Sequence, residues 1–348
     1  MSGEMTNKDN KYMTKEAFDA LKGILAVCVL IHHLYQFTGF LSDTSFGYAF
    51  LLLGHFAVVL FIFISGYGLG ISYINKGDSY IKSFPKKRIL PFYLTYLFFL
   101  LVYIIFELAL KNEIKPSALI LSFFYGSTII SFGWYLQLIL LLYVAFFIIW
   151  RFVKKNAYKL IALSLFLFVF TVINFIIKSP ANVYSPVFSF AIGVFVAYLK
   201  DKVDSFMKKQ GILICIVSLF VFACLTVFAT LIEFRYKDFV NSNIILSVLY
   251  FVLNLFVDLF LIIFVISFLY IICSISYRLL INPVTRFIGL ISLEIYALQG
   301  LFLRGFDPYF VKTLNNRYLY TLVSVVSISV CAFIINRALS LLKKKLLK

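Results

Sequence analysis

Ten stretches of about 20 residues with almost no charge recur along this chain, each long enough to cross a hydrocarbon core of about 30 Å as a helix. They run at roughly 18–40, 48–74, 88–110, 134–152, 157–178, 184–200, 211–233, 243–273, 286–303 and 318–342. Inside lipid the backbone must satisfy its own polar groups, so apolar runs of this length are read as helices. Composition closes the alternative of a water-soluble domain. At 63% hydrophobic and 14% charged residues, a soluble chain could not bury its apolar surface. The expected fold is therefore all-α, a polytopic transmembrane bundle of about ten helices with both termini cytoplasmic. The stretch 243–273 is long enough to tilt or to break near Asn254 and Asp258, and 116–131 reads as a short re-entrant or interfacial segment. The longest polar connections, 75–87 and 303–317, read as loops. Residues 1–348 form one membrane domain, with 1–17 and 343–348 as cytoplasmic tails.

The net charge of +17 raises nucleic acid as a partner, and its distribution answers the question. With the N-terminus inside, 24 of the 32 Lys and Arg residues fall on the tails, even-numbered loops and inner helix ends, against 8 opposite. That is the positive-inside bias. The inner groups include Lys8, Lys11 and Lys15; Lys76, Lys82, Lys86, Lys87 and Arg88; Arg151, Lys154, Lys155 and Lys159; Lys200, Lys202, Lys208 and Lys209; and Lys343, Lys344, Lys345 and Lys348. Basic loops between apolar spans are topology signals, so the expected partners are membrane lipids and no nucleic acid. The first span is too long for a signal peptide and lacks a small-residue cleavage site, so it is expected to stay attached, with the mature chain starting at Met1. Cys28, Cys215, Cys224, Cys273 and Cys331 lie in apolar spans without paired spacing and read as plain hydrophobes, implying neither disulfides nor a metal site. Abundant Lys, Ile, Phe and Asn suggest a low-GC bacterium and hence its plasma membrane.

Function must be sought in polar residues within the spans. His33 sits deep in the first span, eleven residues after Lys22. Eleven helical steps climb about 16 Å and return to within roughly 20° of the starting direction, so the two share one helix face at two depths. His32 points about 80° away from it. His55 lies at a similar depth in the second span, so a His33–His55 pair would let one imidazole hold the other's tautomer. Glu294, in the ninth span, is placed to pair with Lys22 or Arg88. Glu107 reaches the outer interface. The competing readings are a packed histidine at His33, snorkelling at Lys22, a topology signal at Arg88, and interhelical hydrogen bonds at Asn254 and Asp258.

The segment Phe18 to Leu34, FDALKGILAVCVLIHHL, resembles the opening of the acyltransferase-3 family of membrane acyltransferases. There a basic residue stands eleven positions before a catalytic His, here Lys22 and His33, with Asp19 matching an acidic residue before the basic one. LFIFISGYGLG, Leu60 to Gly70, resembles the family's apolar run ending in Ser-Gly-aromatic, which carries over Ser65, Gly66 and Tyr67. KKRILPFYL, Lys86 to Leu94, is similar to its basic stretch closing on a Pro and places Arg88 and Pro91. Trp134-Tyr135-Leu136 resembles a helix start, and Gly289 to Ser292, followed by Leu293-Glu294-Ile295-Tyr296, resembles a Gly-x-x-Ser element. Five matches in chain order are more specific than any one. The departures are that Lys22 replaces an Arg and lacks its two-pronged grip, that Pro85 stands where the first of two Arg would fall, and that Gln299 stands where many members have a His.

The resemblance implies an O-acetyltransferase that moves acetyl from acetyl-coenzyme A, a substrate and not a resident cofactor, to a sugar hydroxyl of a cell-surface polysaccharide or its lipid-linked precursor. The chemistry fits the residues. Acyl transfer to a hydroxyl needs a base, and neutral imidazole suits that near pH 7, so His33 is the candidate base. Coenzyme A phosphates need cations, which Lys22 and Arg88 supply. Tyr135, Tyr67, Ser65 or Ser292 could donate to the carbonyl oxygen as it gains charge. Transfer is either direct or through an acyl-enzyme. The alternatives are a flippase or transporter for a glycan, against which stands the absence of an inverted repeat, and an inactive sensor or scaffold keeping the fold.

Overall fold

The computed structural model describes residues 11–41, 44, 47–124, 129–305 and 316–346. Its helices are α1 Lys15–Thr38, α2 Gly47–Lys76, α3 Asp78–Phe84, α4 Leu90–Ala109, α5 Pro116–Ser122, α6 Trp134–Phe152, α7 Asn156–Ile176, α8 Ala181–Tyr184, α9 Phe188–Tyr198, α10 Lys200–Ser242, α11 Ile244–Leu280, α12 Pro283–Leu290, α13 Ser292–Gly300 and α14 Arg317–Leu346. Among the described residues nine helical spans are long and apolar enough to cross a membrane, and ten if α12 and α13 count as one broken span. The chain is a multi-pass, all-helical membrane protein, and each apolar stretch read from the sequence has its helix.

The differences have physical causes. Residues 75–87 are not a loop: α3 runs into a π turn, Pro85–Ile89, and on into α4, because Lys and Ser tolerate helix and Asp78 sits favourably in the first turn. The α11 helix does not break near Asn254 or Asp258. The Asn254 amide donates to the Tyr250 carbonyl one turn back at 2.8 Å, Asp258 is buried, and the non-helical residue is Ser276 (φ −159°, ψ 114°), where the apolar run gives way to Tyr277 and Arg278. Likewise α10 is interrupted at Gln210 (φ −137°, ψ 17°), between a charged first segment and the apolar stretch from Gly211. Asn243 and Asn316 cap α11 and α14, each side-chain oxygen accepting from two backbone N–H groups of the first turn. A short helix, α5, lies within 116–131, while 306–315 of the expected second loop fall outside the described residues.

The chain divides into two compact units, Met1–Ile24 with Leu199–Leu290, and Leu25–Tyr198 with Ile291–Lys348. In the first, α10 and α11 form a long hairpin. Tyr12 ties it to the N-terminal turn, donating to Asp204 at 2.5 Å and meeting Tyr270 edge-on at 5.2 Å, while Lys200 bridges Asp204 at 2.6 Å. The start of α1 lies directly on α12: a Cβ on Gly23 would collide with the Thr285 carbonyl, and one on Gly289 with the Asp19 carbonyl. The glycine of the Gly-x-x-Ser element thus serves close backbone approach.

In the second unit α2 and α9 are pressed together at glycines. A Cβ on Gly66 would overlap the Phe190 carbonyl, and one on Gly193 the Phe63 carbonyl. Around this contact Phe63, Phe84, Phe99, Phe146, Phe190 and Tyr103 are fully buried. They form a packed core beneath the features described next.

Candidate active site

All three histidines of the chain line one cavity of about 360 Å³ in the second unit. His32 and His33 come from α1, His55 from α2, Trp134 from the start of α6, and Tyr296 from α13, with Phe132 preceding α6. The helix-face argument separated His32 from His33, yet both reach the cavity, because adjacent side chains on one helix can flank a pocket that is wide enough. Their rings stand 4.9 Å apart.

His33 is the buried member, 7% exposed. Its Nδ1 meets Gln299 Oε1 at 2.5 Å, and its ring stacks on Phe132 at 3.9 Å and 10°. Gln299, an amide from α13, thus engages one ring nitrogen of His33, and His55 lines the same cavity. Phe132 has φ 62°, in the left-handed region that costs a bulky residue of order 1–3 kcal/mol. Its conformation is held by the Tyr296 hydroxyl, which donates to the Phe132 carbonyl at 2.7 Å. A strained residue fixed against a buried imidazole is a mark of a working site. His32 Nδ1 contacts the Phe50 carbonyl at 3.3 Å, and a Cβ on Gly54 would strike the His32 ring.

A second feature of the same unit is an open groove of about 730 Å³ lined by Lys76, Ser79, Tyr80, Ser83, Lys86, Lys87, Arg88 and Pro91. Four of these eight are cations and none is acidic. Pro85 has no N–H to continue the α-helical ladder, and the Leu90 N–H bonds instead to the Pro85 carbonyl five residues back. The wider π turn rotates less per residue than an α turn, so three consecutive cations fan over a narrower arc toward one groove.

Tyrosines link the two features. The Tyr143 side chain lies near Ser65 and within electrostatic reach of Arg88 and Tyr80. Tyr135, eight residues earlier on α6, is within reach of Tyr143 and packs its ring 5.0 Å from Tyr296, which lines the histidine cavity. Eight helical steps set these two tyrosines about 12 Å apart along the axis.

The other sequence candidates are distributed. Lys22 belongs to the first unit, where it bridges Asp19 at 3.1 Å and is about one-third exposed. Glu294 does not pair as expected: it is buried, accepts from the Asn336 amide at 3.0 Å and lies within electrostatic reach of Lys343. Ser292 is buried at the start of α13, and Tyr67 is buried against Phe63. Neither is among the residues lining the cavity or the groove. Sequence reasoning missed Phe132, Tyr143 and Asn182, the last of which also lines the cavity, and no local signal marks them. Gln299 was visible only as a departure from a family pattern. Among the described residues no group of three or more His, Cys, Asp or Glu side chains is placed to hold a metal ion.

The family model described as an acyltransferase domain, that of the acyltransferase-3 family, matches residues 15–336. No curated protein and no solved structure matches the chain. The match spans nearly the whole sequence, and the chain belongs to this family of membrane acyltransferases.

Proposed function

We propose that this acyltransferase-3 protein transfers acetyl from acetyl-coenzyme A to a sugar hydroxyl of a cell-surface polysaccharide or its lipid-linked precursor, with His33 as general base, in the plasma membrane of a bacterium. The observation that carries the reading is the buried His33, lining a cavity large enough for a sugar ring, with one ring nitrogen already engaged by an amide oxygen. The acceptor oxygen attacks the thioester carbonyl carbon as its proton passes to the imidazole. The intermediate then collapses, the carbon–sulfur bond breaks, and the imidazolium returns the proton to the departing thiolate.

The donor's phosphates are assigned to the basic groove, where Arg88 can grip two oxygens at once and the lysines add point charges. The tyrosines from Tyr143 to Tyr296 then mark the way for the acyl end toward His33. Both termini and the groove face the cytoplasm, as the distribution of Lys and Arg supports. The acceptor enters from the opposite side.

Two outcomes follow. Radiolabelled acetyl supplied as acetyl-coenzyme A is expected in the glycan fraction of membranes carrying the protein and its native glycan. Its absence, with folded protein present, or glycan movement without coenzyme A, would favour a transporter. Arg88→Ala is expected to raise the KM for acetyl-coenzyme A about tenfold, the loss of roughly one charge-assisted contact of about 1.5 kcal/mol, with kcat little changed. An unchanged KM would remove Arg88 from the donor site. Lys22→Ala measured beside it tells whether that ammonium acts on the donor, since its exposed Asp19 bridge contributes at most about 1 kcal/mol to stability.

A further inference from the structure

Gln299 stands 266 residues from His33 in sequence and is fully buried. Its Oε1 meets His33 Nδ1, while its Nε2 has no hydrogen-bond partner among the described residues. A buried amide with an unpaired donor is costly to keep for packing alone, since an apolar side chain of similar size would remove that penalty. The amide oxygen can only accept, so the contact requires the proton on Nδ1 and leaves the Nε2 lone pair, on the far side of the ring, as the proton acceptor. Tyr296 lies three residues before Gln299 on α13, hence on a neighbouring position of the same face. It reaches the same imidazole indirectly, through the Phe132 carbonyl and the Phe132 ring stacked on His33.

We propose that Gln299 is the positioning residue of the base: its amide oxygen fixes the Nδ1–H tautomer of His33, while Tyr296, through Phe132, fixes the plane of the ring. α13 thus orients the reacting nitrogen without itself touching the acyl group. The proposal rests on the assignment of His33 as base, and its structural part can be read without any activity. Among the described residues, the other titratable groups lining the cavity are His32 on α1, His55 on α2 and Tyr296 on α13. Among the described residues no carboxylate lines this cavity, and the group that meets Nδ1 is a neutral amide.

With three histidines in the chain, the test is ¹⁵N NMR of histidine-labelled, full-length protein in lipid nanodiscs, with His32→Gln and His55→Gln variants to assign the signals. The native protein is expected to show His33 protonated on Nδ1. Gln299→Leu should mix the tautomers without lowering thermal stability, and should cut kcat by about 100-fold, within the range that a mis-oriented base costs, with the KM values held. Gln299→Glu should keep the Nδ1 proton and restore much of kcat. Its carboxylate favours the imidazolium, so the acid limb of the pH–rate profile, where the base must be neutral, moves to higher pH. A native spectrum with the proton on Nε2 would overturn the proposal, as would a Gln299→Leu protein with unaltered tautomer and kcat. Membranes without any acetyl transfer would overturn the proposed function, while the native spectrum would still decide the tautomer.

Discussion

His33→Ala is expected to lower acetyl transfer by about 10²- to 10⁴-fold, the usual contribution of a positioned general base. The protein should nonetheless remain in the membrane. Position 33 lies inside the 24-residue helix α1, alanine is the best helix former, and the change removes a polar group from a buried position rather than adding one. What is lost is the Gln299 contact and the stack on Phe132, which act on the imidazole itself. His32→Ala and His55→Ala, whose side chains line the same cavity, serve as comparisons and should cost far less, because neither ring is as deeply buried as that of His33. The measurement is label transferred from acetyl-coenzyme A in membranes, normalised to protein detected there. Near-normal transfer by a well-inserted His33→Ala protein would remove His33 from the chemistry.

The second large effect is on the fold. Gly66→Leu, or Gly193→Leu, should destabilise the second unit by about 3 kcal/mol, the upper end of what overpacking costs. In both cases the atom in the way is a backbone carbonyl oxygen of the opposing helix, that of Phe190 for Gly66 and that of Phe63 for Gly193. A carbonyl cannot swing aside as a side chain end can, so α2 and α9 must separate, and the packing that holds Phe63, Phe146 and Phe190 loosens with them. Gly68 provides the control. A Cβ there meets nothing within 4 Å, so Gly68→Ala should be neutral or stabilising by up to about 1 kcal/mol from helix propensity. Thermal unfolding in detergent distinguishes the three variants, and equal melting temperatures for Gly66→Leu and Gly68→Ala would show that the α2–α9 contact is not what the structure indicates.

Gly66 also shows how a sequence pattern and its cause can lie on different levels. Ser65-Gly66-Tyr67 was legible as part of a family resemblance, but its glycine is there to admit a neighbouring helix, while Ser65 meets Tyr143. Gly289 behaves in the same way against α1. The basic run Lys86-Lys87-Arg88 is legible in the sequence as a cluster of charge. Its convergence on one groove depends on the π turn at Pro85, which the polar composition of 75–87 had suggested would be a loop.

The sequence by itself determined where along the chain the apolar spans lie. Whether a stretch enters lipid is the sum of transfer free energies of its own residues, and so the breaks at Gln210 and Ser276 fall where apolar runs meet charge. It also singled out His33 as an expensive side chain in an apolar helix. Only the tertiary structure decided the partners: Gln299 and Phe132 for His33, Asn336 for Glu294, and one cavity for three histidines. The physical reason is that a polar group in an apolar bundle is satisfied by any donor or acceptor within reach. Which one is within reach is set by how the helices of a unit are rotated and paired, through contacts between segments hundreds of residues apart that no single stretch encodes.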